Sequence, residues 1–275
     1  LIEFHCTRHH RSDHTPIVTD LELQDYGEEL LRDYKPKLLK EPGKINAFHF
    51  VESYLEANLD YQDIYYEEDE GPIAGATVFN DDKVLVFDRE GQCIRPIEVS
   101  AGTILIDNSV MKDGKEKYAT FTVLHEGSHF CVHPCVYRRD VTQFSLFDLM
   151  QQHEGAHIVQ CRRSAIENPK SKLVTQTDFR EHQANTLAAA LAMPRPTFIP
   201  YAKDLIRKEG FKNGIWVEPT LYDWNLDQGL ICVVDEIAET YGVSKAATRV
   251  QLKRQGLLIS EMEYLQQRSQ IAVAF

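Results

Sequence analysis

The sequence predicts an α+β fold, and three observations carry that prediction. Apolar side chains recur at helical spacing near the start, as in "LELQDYGEELLRDY" at 21–34. Between 73 and 110, short β-rich runs alternate with turn residues. Two later helical stretches, "FTVLHEGSHF" at 121–130 and "EHQANTLAAALAMP" at 181–194, hold clustered histidine and glutamate side chains.

Taken in order, Leu21, Leu23, Tyr26, Leu30, Leu31 and Tyr34 form the apolar stripe of a first helix. "KPKLLKEPGKIN" ends it with two prolines and a glycine, and "AFHFVESYLEANL" (47–59) reads as a second helix. "IAGATVFN", "KVLVFD", "IRPIEVS" and "GTILIDNSV", separated by "NDDK" and "DREGQ", read as a small antiparallel meander. A helix from Lys115 follows. Residues 134–177 show no clean period and read as a long irregular insertion. "DFREHQANTLAAALAMP" is a strong helix stopped by Pro194. "PTFIPYAKDLIRKEG" and a helical region from Asp227 to Gly256 close the chain. The expected organisation is a mobile tail at 1–20, holding His5, His9, His10 and His14, a main domain at 21–210, and a C-terminal helical region at 211–275.

The 275 residues can bury a sizeable core. With 42 acidic against 30 basic residues, the net charge of -12 repels phosphate and argues against wrapping nucleic acid. No apolar run reaches the ~18 residues of a membrane span. The six cysteines are scattered, without a disulfide framework, and the opening segment has no signal-peptide pattern, so the expected compartment is the cytoplasm.

His-Glu-x-x-His occurs twice, at 125–129 and at 153–157. On a helix, histidines at i and i+4 share a face and can present ring nitrogens to one ion, with the intervening glutamate beside it as a base. The flanks separate the two copies. His125, Glu126 and His129 follow "FTVL" and precede "FCV", so their helix has a buried side and a polar stripe. His153, Glu154 and His157 follow the polar "DLMQQ" within the irregular stretch and read as a surface turn.

A third ligand must come from elsewhere. Glu181 and Asn185 share a helical face, a ligand with a partner to orient a histidine. Asp178-x-x-Glu181 equally fits a capping box, with Glu181 reaching back to the helix start, and His182 is a further candidate ligand. Spacing alone leaves these open.

Together the two helical motifs resemble the ImmA/IrrE family of metallo-endopeptidases, whose apolar-Thr-x-x-His-Glu-x-x-His helix is followed by Glu-x-x-Ala-Asn/Asp and an Ala-rich run ending Met-Pro, here Met193-Pro194. The resemblance spans roughly residues 20–258. It implies a zincin-like fold, one Zn2+ per chain held by His125, His129 and Glu181, with Asn185 behind a ligand and Glu126 as catalytic base. It also implies a protein substrate, such as a helix-turn-helix repressor. The oxyanion donor stays open among Tyr201, Tyr222, Tyr241 and Arg249, and "GTILID" is the expected sheet edge for an extended substrate. Two rival readings remain. "EIAETYGVSKAATRVQLKRQGLL" (236–258) looks like a helix-turn-helix, with Lys245, Arg249, Lys253 and Arg254 as its cations, which would suit a DNA-binding regulator with a vestigial metal site. A metal-binding interaction module is the other. The net acidity argues against direct nucleic-acid binding.

Overall fold

The computed structural model describes residues 2–69, 71–137, 158–167, 172–218 and 224–266. It shows a mixed α+β chain in two compact units: Leu1–Tyr34 with Asn46–Leu191, and Lys35–Ile45 with Ala192–Phe275. The break falls at the end of the Ala-rich helix, earlier than the expected boundary at 210.

In the first unit, helix α1 (Asp20–Tyr34) buries Leu23, Tyr26, Leu30 and Leu31, the stripe expected of it. Thr19 and Glu22 cap its start reciprocally. The helix expected over 47–59 is shorter. α2 (Ala47–His49) runs into a π-helical turn at Phe50–Tyr54, and Glu56 at φ 57° turns the chain into β1 (Asn58–Gln62).

The strands depart from a simple meander. β2 (Ile73–Val78), β3 (Asp82–Asp88), β4 (Cys93–Val99) and β5 (Thr103–Asp107) lie where the β-rich runs do. However, β3 and β4 pair only with each other as strands, and the main sheet runs β1-β5-β2-β6, with β6 at Ile158–Arg162. β1 pairs with β5 in parallel, so the sheet is mixed, not antiparallel. β5, the expected edge, is interior. All five of its residues are buried, as befits an unbroken apolar run covered on both faces. One sheet face, with Ala76, Val78 and Leu105, meets Val84, Val86 and Val99 of the hairpin in an aliphatic core. Fully burying a side chain of this size stabilises the fold by about 1.5–3 kcal/mol.

The opposite face receives α3 (Glu116–Val132), which packs on β2 and β5. A Cβ on Gly127 would lie 3.0 Å from Val51 Cγ2, so the bare backbone lets α3 lie close to the π-helical turn. After α3 come α4 (Pro134–Tyr137), then β6 and α5 (Arg163–Glu167), so the stretch read as an irregular insertion supplies the sheet's fourth strand. α6 (Gln176–Ala192) buries Ala184, Leu187, Ala188 and Leu191.

Residues 1–20 are not a free tail. Thr15 is fully buried, His9 bridges Pro16, and Asp13 forms an ion pair with Arg180 of α6.

The second unit holds α7 (Arg195–Lys208), β7 (Trp216–Glu218), α8 (Trp224–Tyr241), α9 (Lys245–Arg254) and β8 (Leu258–Ser260), with β7 and β8 pairing in parallel. Ser244 caps α9 through its hydroxyl, which accepts from the Ala247 amide at 3.1 Å. Trp216 and Tyr241 are its largest fully buried side chains. No helix among the described residues is long and apolar enough to cross a membrane.

Candidate metal centre

α3 and α6 bring three side chains to one point. His125 Nε2 lies 3.0 Å from His129 Nε2, and Glu181 places Oε2 3.3 Å from His125 Nε2 and Oε1 3.3 Å from His129 Nε2. Both histidines are fully buried. Glu181 is free for this because the cap of α6 is made elsewhere. Asp178 accepts from the Thr175 amide at 2.9 Å while its own amide donates to Thr175 Oγ1. The capping alternative for Glu181 is therefore taken by Thr175 and Asp178. His182 faces away, 2.7 Å from Asp20 Oδ1.

Hydrogen bonds behind the rings fix which nitrogens carry protons. Asn185 Nδ2 donates to the Ala165 carbonyl at 2.9 Å, so Asn185 Oδ1 accepts from His125 Nδ1 at 3.0 Å. Gln183 Nε2 donates to the Pro16 carbonyl at 2.7 Å, so its Oε1 accepts from His133 Nε2 at 2.9 Å. Burial, followed by the neighbouring His129, holds His133 well below the usual histidine range, so it is neutral and its Nδ1 accepts from His129 Nδ1 at 3.0 Å. Each ring thus commits Nδ1 to the partner behind it and turns Nε2 toward the other ring. Both Nε2 atoms face a carboxylate whose burial alone would raise its pKa but which the two histidines, His129 first, hold well below the usual range; against the effect of burial that carboxylate raises His125, while burial lowers His129. Two ring nitrogens and two carboxylate oxygens converge on one point.

That arrangement fits a cation. Ligand atoms at 2.0–2.1 Å from a tetrahedral ion stand about 3.3–3.4 Å apart, close to the 3.0–3.3 Å found here. A shared proton would draw nitrogen and carboxylate closer, to about 2.7–2.9 Å. His125, His129 and Glu181 form one of two potential metal-holding groups among the described residues. The other is His125, Glu126 and Cys161.

Glu126 is fully buried beside these side chains. Thr77 Oγ1 of β2 donates to its Oε2 at 2.7 Å, while Oε1 has no hydrogen-bond partner among the described residues. Gly75 makes room for that free oxygen, since a Cβ there would lie 2.9 Å from Glu126 Oε1 and 3.0 Å from the Leu105 carbonyl. Burial pushes the Glu126 carboxyl up to about 8, and a neighbouring cation would draw it back down. Cys161, opposite Gly75 in the β2–β6 ladder, is also fully buried, with Sγ 3.7 Å from Glu181 Oε2. A cavity of ≈ 340 Å³, lined by Gln160, Arg162, Thr177, Glu181 and Asn185 among others, lies between β6 and α6 and reaches Glu181.

Of the residues predicted from sequence, His125, Glu126, His129, Glu181 and Asn185 thus meet at one place. His153, Glu154 and His157 lie outside the described residues, as does Tyr222. Tyr201, Tyr241 and Arg249 belong to the second unit, where the Tyr201 hydroxyl is bonded to Glu236 and Thr240. Sequence reasoning missed Thr77, His133, Cys161 and Gln183. Only His133 left a signal, as the third histidine at a four-residue interval along α3.

Residues 147–253 match the family model of the IrrE N-terminal-like domain, a peptidase family, which supports the resemblance to the ImmA/IrrE metallopeptidases. The matched stretch begins after the first His-Glu-x-x-His copy and takes in the second copy, Glu181, Asn185 and the Ala-rich helix. None of the curated proteins matches the chain.

Proposed function

We propose that this chain, with its IrrE-type peptidase match over 147–253, is a zinc-dependent endopeptidase whose centre is built by the first His-Glu-x-x-His copy. The observation that carries this reading is the convergence of two histidine Nε2 atoms and the Glu181 carboxylate on one point, beside a base with a free oxygen. His125, His129 and Glu181 would hold the ion, and a set of two histidines and one glutamate suits zinc. The ion would supply Lewis acidity at the scissile carbonyl and at the attacking water.

The chain's own side chains supply the rest. Asn185 orients His125. The carbonyl of Pro16, through Gln183 and His133, orients His129. Thr77 pins one oxygen of Glu126 and leaves Oε1 to take a proton from water and return it to the leaving amine. β6, at the edge of the sheet among the described residues and beside the cavity, offers its backbone to an extended substrate. A substrate-peptide complex without backbone pairing to β6 would remove that part of the reading.

The substrate proposed is a protein of the helix-turn-helix repressor class, on the family resemblance, in a regulatory role. The six free cysteines suit a reducing cytoplasm. The rival DNA-binding reading draws no support from α9, where Lys245 pairs with Asp235, and Arg249 and Lys253 both pair with Glu218. The test is cleavage of a panel of helix-turn-helix repressors by the zinc-loaded chain, read by mass spectrometry. The wild type should cut at least one of them, and Glu126→Gln none. Equal cutting by both, or none by the wild type, counts against the reading.

A further inference from the structure

We propose that residues 8–20 form a strap over α6 whose docking is coupled to the metal centre: a bound ion tightens the strap, and release of the strap loosens the ion. This rests on the His125–His129–Glu181 reading above.

The seat of the strap is one face of α6. Gln176, Phe179, Arg180 and Gln183 stand at i, i+3, i+4 and i+7, and each meets the segment. Gln176 Nε2 lies 3.3 Å from His10 Nδ1, and the Phe179 and His10 rings are 6.1 Å apart. Arg180 Nη1 donates to Asp13 Oδ2 at 2.5 Å and to Thr15 Oγ1 at 2.9 Å. Gln183 Nε2 donates to the Pro16 carbonyl at 2.7 Å. Beside this face, His182 Nε2 lies 2.7 Å from Oδ1 of Asp20, where the strap passes into α1. The strap also closes on itself. The Ile17 amide donates to the Arg8 carbonyl at 2.7 Å and the His10 amide to the Thr15 carbonyl at 2.9 Å, so it docks as one piece.

Two routes lead from this seat to the ligands. Glu181 lies in the chain between Arg180 and His182, both held by the strap, so its carboxylate is placed by where α6 is clamped. Gln183, itself buried, continues through its Oε1 to His133 Nε2 at 2.9 Å, and His133 Nδ1 stands 3.0 Å from His129 Nδ1. The strap therefore bears on a ligand of α6 through the backbone and on a ligand of α3 through side chains. Undocking would take the Pro16 carbonyl from Gln183 and leave its buried amide without an acceptor, which costs more than the bond alone and drives the side chain to turn away from His133.

Such coupling is reciprocal. Whatever factor docking adds to the affinity for the ion, the ion adds to docking. Loss of a partner behind a metal ligand costs about 10–100-fold in affinity, so the loaded chain should hold its strap about 10–100-fold more tightly than the zinc-free chain. The metal state of a buried centre is thereby displayed at the surface, as a docked or released segment.

The test uses the full chain, zinc-free and zinc-loaded, with amide hydrogen exchange read by mass spectrometry. Peptides covering 8–17 should exchange about 10–100-fold more slowly with zinc, while the β3–β4 hairpin, which has no part in either route, exchanges alike in both forms. Asp13→Lys sets a second cation against Arg180. It should free the strap and lower zinc affinity at least tenfold, measured by competition against a chromophoric chelator. Exchange at 8–17 that is the same with and without bound zinc, or wild-type zinc affinity in Asp13→Lys, overturns the coupling and leaves the metal centre standing. A wild type that binds no zinc overturns the metal centre and the proposal together.

Discussion

Thr77 on β2 donates its hydroxyl hydrogen to Glu126 Oε2 on α3 at 2.7 Å, in a fully buried contact across 49 positions of sequence. The bond selects one carboxylate oxygen as the anchored one and leaves the other for chemistry. Thr77→Val removes the donor at nearly constant volume. A hydrogen bond to a charged group is worth about 1.5–3 kcal/mol, so turnover should fall about 10–100-fold while metal content stays at the wild-type level. Metal analysis beside kcat on a cleavable substrate checks this. Unchanged turnover would mean that Glu126 needs no such support.

His133 and Gln183 transmit the Pro16 carbonyl to His129. Breaking this relay should let the His129 ring change its tautomer. Gln183→Leu should weaken metal binding about 10–100-fold, the usual cost of losing a partner behind a metal ligand, with the fold intact. Competition against a chromophoric chelator reads it. Wild-type affinity in Gln183→Leu would show that packing alone orients His129.

Much of this site was legible in the sequence, and the limits have physical causes. His125 and His129 announce themselves because helical periodicity puts i and i+4 on one face. His133 continues that row, yet reads equally as a helix terminus, and it serves as both: its amide bonds the His129 carbonyl as the C-cap while its ring joins the relay. The two uses of Glu181 could not be separated by spacing because Asp178 sits three residues before it. Thr175, one turn earlier still, takes the cap instead. Thr77, Gly75 and Cys161 have no local signature at all, since they reach the site only through the β2–β6 register. The error over β5 arose because a continuous apolar strand reads alike as a buried edge or a centre, and only its partners β1 and β2 decide.

The N-terminal segment is held by Asp13, and this predicts a pH dependence. Burial raises the Asp13 carboxyl, but the Thr15 amide and hydroxyl and the Arg180 guanidinium outweigh it, and the net shift is downward. A carboxylate whose folded pKa is depressed stabilises the fold above its unfolded value of about 3.9 and loses that contribution as pH falls through the folded value. Asp13→Asn should therefore be less stable at pH 7, by on the order of 1 kcal/mol, and the gap should close in acid below about pH 4. Urea unfolding of both proteins across pH 3–7 measures it. A gap that is constant or that widens in acid would assign the effect to something other than the Asp13 charge.

The most direct measurement of the central claim is zinc per chain, by elemental analysis, for the wild type, His125→Ala and His153→Ala, each purified without a polyhistidine tag. It matters because the family match takes in the second His-Glu-x-x-His copy and not the first. The convergence of His125, His129 and Glu181 predicts one zinc in the wild type and in His153→Ala, and none in His125→Ala. Zinc retained in His125→Ala and lost in His153→Ala would contradict that assignment and move the centre to the second copy.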